Sequence, residues 1–429
     1  MRVCVYTLGC RLNQGESEAI ADAFAKAGFT IATEEEPADL YVVNTCTVTS
    51  KAEQKARRML RKFNQVAPTI ATGCYAQLNS DELLALGGNI VVFPLSRKAS
   101  LLSLPKYLLS CLDCGMDLLG AIRSYHGENT DPFAFDASSF SYHSRAYLKI
   151  QDGCDNACSY CRVHVARGKA RDLDAGIAVQ RALQLQDEGF HEIMLTGVNL
   201  TMYDHRGEGL GALVEKLLLA LGPDMRLRLS SMEPDHIDDR LLDTLSDYRM
   251  QPHFHLPIQS ASDVVLQRVN RHYEVRHLLH IIERLRKAKD DPFLAADVIT
   301  GLPAEDDIEF EKTYRFFEEQ RFSMMHVFPF SPRPDTALYH AKDKVPESVR
   351  DARALRLRTL AEGLHEAYKT RQVGKRTEVI LEERKHGAWW GTTGNYLEVR
   401  IDNAPLFSKK GDLLKGVFIE GSMAVSCEQ

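Results

Sequence analysis

The stretch that most constrains this chain is Ala146 to Asp172, AYLKIQDGCDNACSYCRVHVARGKARD. Ala146, Leu148 and Ile150 alternate with Tyr147, Lys149 and Gln151, a period of two that predicts a strand. The strand breaks at Asp152-Gly153 into a loop carrying Cys154, Cys158 and Cys161 at C-x3-C-x2-C spacing. Three thiolates this close together hold three irons of a cubane cluster and leave the fourth iron open. A structural zinc site usually wants four protein ligands and a catalytic one takes three plus water. A disulfide would leave one cysteine over. The spacing, the preceding strand and the basic tail together favour the cluster.

A chain of 429 residues has room for several domains and a large core. It contains no apolar run of membrane-spanning length, and its start, MRVCVYTLGC, lacks the basic and apolar regions of a signal peptide. The expectation is a cytoplasmic protein with no membrane contact. In a reducing compartment its 10 cysteines read as metal sites or buried thiols rather than disulfides. The net charge of −6 does not advertise nucleic-acid binding, so any RNA contact must use a local basic surface.

The first third alternates strand and helix patterns with short connections, the mark of a parallel α/β domain. Cys10, Cys46 and Cys74 each come just after a predicted strand. The carboxyl ends of parallel strands share one edge, so these remote cysteines are expected to converge there. Their geometry favours a second iron–sulfur cluster over three unrelated buried thiols. The helix from about 50 to 63 bears Lys51, Lys55, Arg57, Arg58, Arg61 and Lys62, which form either a solvated face or a phosphate contact. Residues 101–119 read as helical around Pro105, and 127–144 as a connection. Cys111 and Cys114 there are expected to be two buried thiols.

Beyond the loop, strand patterns at 192–196, 226–231, 253–259, 294–300 and 324–330 alternate with helical ones, including a long helix over 264–289. With the first strand this predicts six βα units and an open barrel whose chemistry lies at the strand carboxyl ends. Gly197, Ser231, Glu233 and Gln259 fall there. Arg167, Lys169 and Arg171 alternate and, if extended, project to one side, with Asp172 and Asp174 as possible surface partners. A helix is predicted over 347–370, followed by short strands at 377–381, 396–401 and 417–420 that form a small antiparallel barrel. Trp389, Trp390 and Tyr396 there serve equally well as core or as stacking platforms for bases.

The cysteine loop resembles that of the radical S-adenosylmethionine (SAM) superfamily, and ARGKAR after it resembles the methylthiotransferase branch. TLGCRLNQGESEAI, NTCTVTSKAEQKARR and TGCYAQ are similar to the three cysteine motifs of that branch's N-terminal domain. Thr7-Leu8, Asn13-Gln14 and Thr47-Val48-Thr49 look most like the subgroup that modifies threonylcarbamoyladenosine in tRNA. GKRTEVILEE resembles the opening of the TRAM domain, an RNA-binding module. The resemblance divides the chain into 1–98 (methylthiotransferase N-terminal domain), 99–139 (linker), 140–370 (radical SAM domain) and 371–429 (TRAM-like domain). The expected fold is therefore α/β: an N-terminal parallel α/β domain, a central partial (β/α)6 barrel and a small C-terminal antiparallel β-barrel.

The resemblance also implies a chemistry. Two [4Fe-4S] clusters are expected, one on Cys154, Cys158 and Cys161 and one on Cys10, Cys46 and Cys74. SAM at the first cluster, held by Gly197, Ser231, Glu233 and Gln259, gives a deoxyadenosyl radical that takes hydrogen from an adenine carbon. The second cluster supplies the sulfur for a methylthio group at C2 of N6-threonylcarbamoyladenosine, position 37 of tRNA. Arg167 and Arg171 are the candidates for binding substrate, and the partners implied are tRNA and an electron-donor protein. Rival readings are methylthiolation of isopentenyladenosine tRNA or of a ribosomal-protein aspartate, and an iron–sulfur RNA-binding protein without turnover. The chain departs from the family pattern at Arg162, His164 and Ala261.

Overall fold

Strands that are buried on both faces read as nearly continuous apolar runs, and this chain opens with such a sheet. In the computed structural model, which describes residues 1–425, five parallel strands pair in the order Thr30–Ala32, Arg2–Thr7, Leu40–Thr45, Thr69–Gly73, Ile90–Phe93. Residues 426–429, the end of the expected C-terminal domain, lie outside the described residues. Thr7 pairs with Asn44 and Thr45 with Gly73, so the three central strands finish level with one another. One face of the sheet is covered by the helix Ser50–Asn64, whose Leu60 and Phe63 pack under Tyr6 and Tyr41. The basic side chains of that helix point outward, apart from Arg57, which pairs with Glu82.

The other face holds the helix Arg11–Lys26 together with the stretch expected as a linker. Leu104–Asp113 and Leu118–Ser124 are helices whose Leu104, Leu108 and Ile122 share a core with Val3, Ile20 and Phe24. Pro105 sits in the first helical turn, where its missing N–H costs nothing. The expected burial of Cys111 and Cys114 is corrected: Cys111 is half-buried and Cys114 exposed. The face of their helix that packs on the sheet carries Leu104 and Leu108, and Cys114 is its C-cap.

The central domain has six parallel strands in chain order, Ala146–Lys149, Glu192–Thr196, Arg226–Leu229, His253–Gln259, Phe293–Thr300 and Met324–Pro329. They form two three-stranded parallel sheets joined by the bridges Leu227 to Met250 and Ser231 to His255. No pairing joins the first strand to the sixth among the described residues, so the barrel is open. The single helix expected over 264–289 is two, Asp263–Arg268 and Val275–Ala288, and Asn270 between them has φ +59°. That turn frees Arg271 to point back into the domain.

After the helix Glu347–Gln372, five strands close into a barrel, where the sequence pattern had shown three. It packs under the amino-terminal ends of the half-barrel: Phe293 and Ala295 join its core, and Arg226 forks onto Glu378 with two 2.6 Å bonds. Trp389 leans on that core, while Tyr396 packs 4.2 Å from the His253 ring at the domain junction. No helix among the described residues is long and apolar enough to cross a membrane.

Candidate active site

Each cysteine of the first set leaves a strand end at a turn. Cys10 is the N-cap of the helix Arg11–Lys26, Cys46 follows Leu40–Thr45, and Cys74 begins the short helix Cys74–Leu78. Gly73 has φ +97°, and a Cβ there would lie 2.3 Å from the Thr45 carbonyl, so only glycine permits the turn. Asn13 ties the loops together, its Nδ2 donating to Leu8 O at 2.8 Å and Thr45 O at 3.3 Å. Burial and the neighbouring Cys74 and Cys10 thiols push Cys46 up to about 12. A cation or cluster would reverse that shift by favouring thiolates.

The loop after Ala146–Lys149 is built in the same way. Gly153 has φ +75° and lies so close to the Lys169 carbonyl that a Cβ would overlap it. Cys154 N donates to Gly168 O at 3.1 Å, folding the loop back on its own tail. Burial pushes Cys154 up to about 11 and Cys161 up to about 12. Donors already face the sulfurs: Val163 N reaches Cys161 Sγ at 3.4 Å, and Arg271 Nη1 reaches Cys158 Sγ at 3.5 Å. Arg271 also pairs with Glu233 and donates to Pro257 O at 2.6 Å.

Between the two sets lies a buried charge network. Lys149 Nζ donates to Glu16 at 2.6 Å and to Asp152 at 2.7 Å; Arg167 Nη1 reaches the same two carboxylates at 3.1 and 3.0 Å. Lys98 Nζ bonds Glu16 and, at 2.9 Å, Asn44 Oδ1. Burial alone would raise the Glu16 carboxyl, but Arg167, Lys149 and Lys98 hold it well below the usual range. Three cations face two carboxylates, and the surplus positive charge is aimed at sulfur, with Arg167 Nε 3.3 Å from Cys74 Sγ. Anionic thiolates fit that surplus.

The network corrects one expectation. Arg167 ends the helix Val163–Arg167, and its side chain is 2% exposed with its donors taken by Glu16, Asp152, Asn13 and Cys74. It cannot share an outward face with Arg171, which is exposed on a two-residue strand. The helical turn, absent from the alternation of charges, rotates Arg167 inward. Arg162, a departure from the family pattern, is also buried; it clamps Glu53 of the N-terminal domain at 2.9 Å, and Arg333 clamps the same carboxylate. Ala261 is buried with its N–H on Thr313 Oγ1 at 3.1 Å.

A cavity of about 490 Å³ separates the N-terminal domain from the half-barrel. Cys10, Arg11 and Gln14 line it from one side, Gly197, Ser231 and His255 from the other. Asp297 and His326 complete its wall, and the ligand atoms of His255, Asp297 and His326 lie within 4.8 Å of one another. Ser231 and His255 Nδ1 share a 2.7 Å bond, which orients the opposite ring nitrogen toward Asp297 at 3.2 Å. Gln259 ends its strand with φ +69° where the register with the next strand shifts, and Glu233 stays with Arg271 beside the cysteine loop. The roles of Glu16, Arg271, His255 and His326 went unread in the sequence. The two histidines had a faint signal, since a polar side chain at every second position of an inner strand points into a barrel.

A parallel half-barrel with a three-cysteine loop at the mouth defines a class, and the comparisons agree. The "Radical SAM superfamily" model matches residues 148–317, and "Uncharacterized protein family UPF0004" matches 2–93. The radical SAM methyltransferase TsrM of Kitasatospora setae, solved with cobalamin and a [4Fe-4S] cluster bound, superposes with a TM-score of 0.54 at 12% identity, covering 79% of this chain and 76% of that one, a likeness of fold. Threonylcarbamoyladenosine tRNA methylthiotransferase MtaB of Treponema pallidum (strain Nichols) is 34% identical over 93% of this chain and 94% of its own. The Bacillus subtilis (strain 168) enzyme of the same name is 35% identical over 92% and 89%. A tRNA-2-methylthio-N(6)-dimethylallyladenosine synthase of Erythrobacter litoralis (strain HTCC2594) is 32% identical over 96% and 97%. The chain belongs to the family of radical SAM tRNA methylthiotransferases that includes the threonylcarbamoyladenosine enzymes.

Proposed function

We propose that this chain adds a methylthio group to C2 of N6-threonylcarbamoyladenosine at position 37 of tRNA. The observation that carries the reading is the cavity flanked by Cys10 on one side and the half-barrel mouth on the other, with Arg167 spanning from the cysteine loop to Cys74. Cys154, Cys158 and Cys161 hold one [4Fe-4S] cluster, and Cys10, Cys46 and Cys74 hold the other. When bound, the clusters and SAM supply the adenosyl radical and the sulfur. The chain's own residues position these groups. Asn13, Asn44 and the charge network keep the two sets in one register, and Arg271 offsets thiolate charge at Cys158 while holding Glu233 in place. Gly197, Ser231, Glu233 and Gln259 surround SAM at the strand ends. Arg171, exposed beside the loop, contributes to substrate binding.

The closed C-terminal barrel is the RNA-holding module, and an electron-donor protein completes the cycle in the cytoplasm. Anaerobic reconstitution is expected to give about eight irons per chain, falling to about four when the first or the second cysteine set is changed to alanine. Mass spectrometry of tRNA nucleosides from a deletion strain is expected to show loss of the methylthio form of threonylcarbamoyladenosine. Loss of methylthio-dimethylallyladenosine instead would move the chain to the other tRNA branch.

A further inference from the structure

The cavity beside Cys10 contains one arginine or lysine among its lining residues, Arg11. The same side chain borders a second cavity of about 560 Å³ toward the C-terminal barrel, so it stands at the junction of the two. Its Nη1 donates to Gln14 Oε1 at 3.0 Å, and its guanidinium lies 5.4 Å from the Tyr396 ring centre. No carboxylate pairs with it among the described residues. The nearby arginines are committed, Arg145 to Glu192 and Glu382 and Arg228 to Glu192, while Lys410, at the second cavity, donates to Ser141 O at 3.2 Å. The carboxylate of the first cavity, Asp297, sits at the opposite wall against His255.

We propose that Arg11 is the specificity-determining residue that receives the carboxylate of the threonylcarbamoyl group; this rests on the substrate reading above. That group is an anion. Its outer urea N–H closes a six-membered ring onto N1 of the adenine, which turns the threonyl carboxylate toward the base edge that carries C2. A base placed with C2 facing Cys10 therefore brings its carboxylate beside the next residue. One guanidinium N–H is spent on Gln14 and the Tyr147 hydroxyl also lies beside the group, which still leaves donors among its five N–H bonds for a two-point contact with a carboxylate. An apolar dimethylallyl group at the same place leaves the guanidinium without a partner, and that is how such a site rejects it.

The test compares two RNAs on the reconstituted full chain: an anticodon stem-loop with threonylcarbamoyladenosine at position 37, and the same RNA with plain adenosine. The wild type is expected to bind the modified RNA about tenfold to a hundredfold more tightly. Arg11→Gln should lose most of that preference while keeping its affinity for the plain RNA, and Arg11→Lys should fall between the two. Equal weakening on both RNAs would make Arg11 a phosphate contact and overturn the proposal; so would an unchanged preference. Iron content checks assembly, because Cys10 is adjacent. If Arg11→Gln loses iron, the intermediate preference of Arg11→Lys decides. A wild type that fails to methylthiolate the modified RNA sinks the substrate reading itself, whereas one that does so while Arg11→Gln keeps its preference sinks this proposal alone.

Discussion

Glu16→Gln is the sharpest probe of the network that joins the two cysteine sets. The change keeps the shape of the side chain and removes one charge from a site that is 2% exposed. Glu16 now faces Lys98, Lys149 and Arg167; afterwards Lys149 and Arg167 share the single carboxylate of Asp152 and Lys98 keeps only Asn44 Oδ1. At an effective dielectric near 20, unit charges 4 Å apart attract by about 4 kcal/mol. Part of that loss is offset because a neutral amide is cheaper to bury, and removing one partner from a buried pair costs about 3–5 kcal/mol net. This is a large fraction of a typical domain stability of about 5–15 kcal/mol.

The readout must follow the N-terminal domain, and tryptophan fluorescence does not, because Trp389 and Trp390 both lie on one strand of the C-terminal barrel. Hydrogen exchange of the helix Arg11–Lys26 under anaerobic urea is the suitable assay. Adding Lys98→Met to the Glu16→Gln chain restores the original charge balance and should recover stability, with a coupling of at least about 1 kcal/mol. A loss under about 1 kcal/mol for Glu16→Gln, or strict additivity of the pair, would refute the charge-balance argument.

Three further outcomes are expected. Gly73→Ala forces a Cβ onto the Thr45 carbonyl at a φ of +97° and should destabilise the first domain by about 3 kcal/mol or more, read by the same exchange experiment; a loss below about 1 kcal/mol would refute the steric account. Arg271→Met leaves Glu233 buried without its cation, and the double variant with Glu233→Leu should regain at least half of the lost stability in urea titration. Asp172 has an unpartnered Oδ1, and burial pushes its carboxyl up to about 6. The folded state holds a proton that the unfolded chain releases near pH 4, so this group's contribution is full below that pH and is lost as the pH rises to about 6. Because the group is partly solvated, Asp172→Asn should gain only about 1–2 kcal/mol at pH 7 and nothing at pH 3.5; an equal gain at both pH values would exclude titration as the cause.

Much of this molecule is legible without coordinates because its signals are local. The period-two run before Cys154 is a strand, the three-cysteine spacing is short, and the alternation of strand and helix patterns carries the parallel sheet and the open barrel. Parallel topology then dictates that Cys10, Cys46 and Cys74 gather at one edge, although the last lies 64 positions after the first. Short-range patterns fail where a side chain's partner is remote. Ordinary local spacing makes Arg167 and Arg171 equivalent, but one turn of helix sends the first inward to Glu16 and leaves the second in solvent. The apolar stretch of residues 101–119 is read as helical, but that it forms the second layer of the N-terminal sheet depends on the face it buries. Glu16, Lys98, Lys149, Asp152 and Arg167 each look like a surface charge in their own segment. They become a buried network only when two domains close over them, because a charge survives burial only beside its counter-charge, and pairings across such distances are decided by packing.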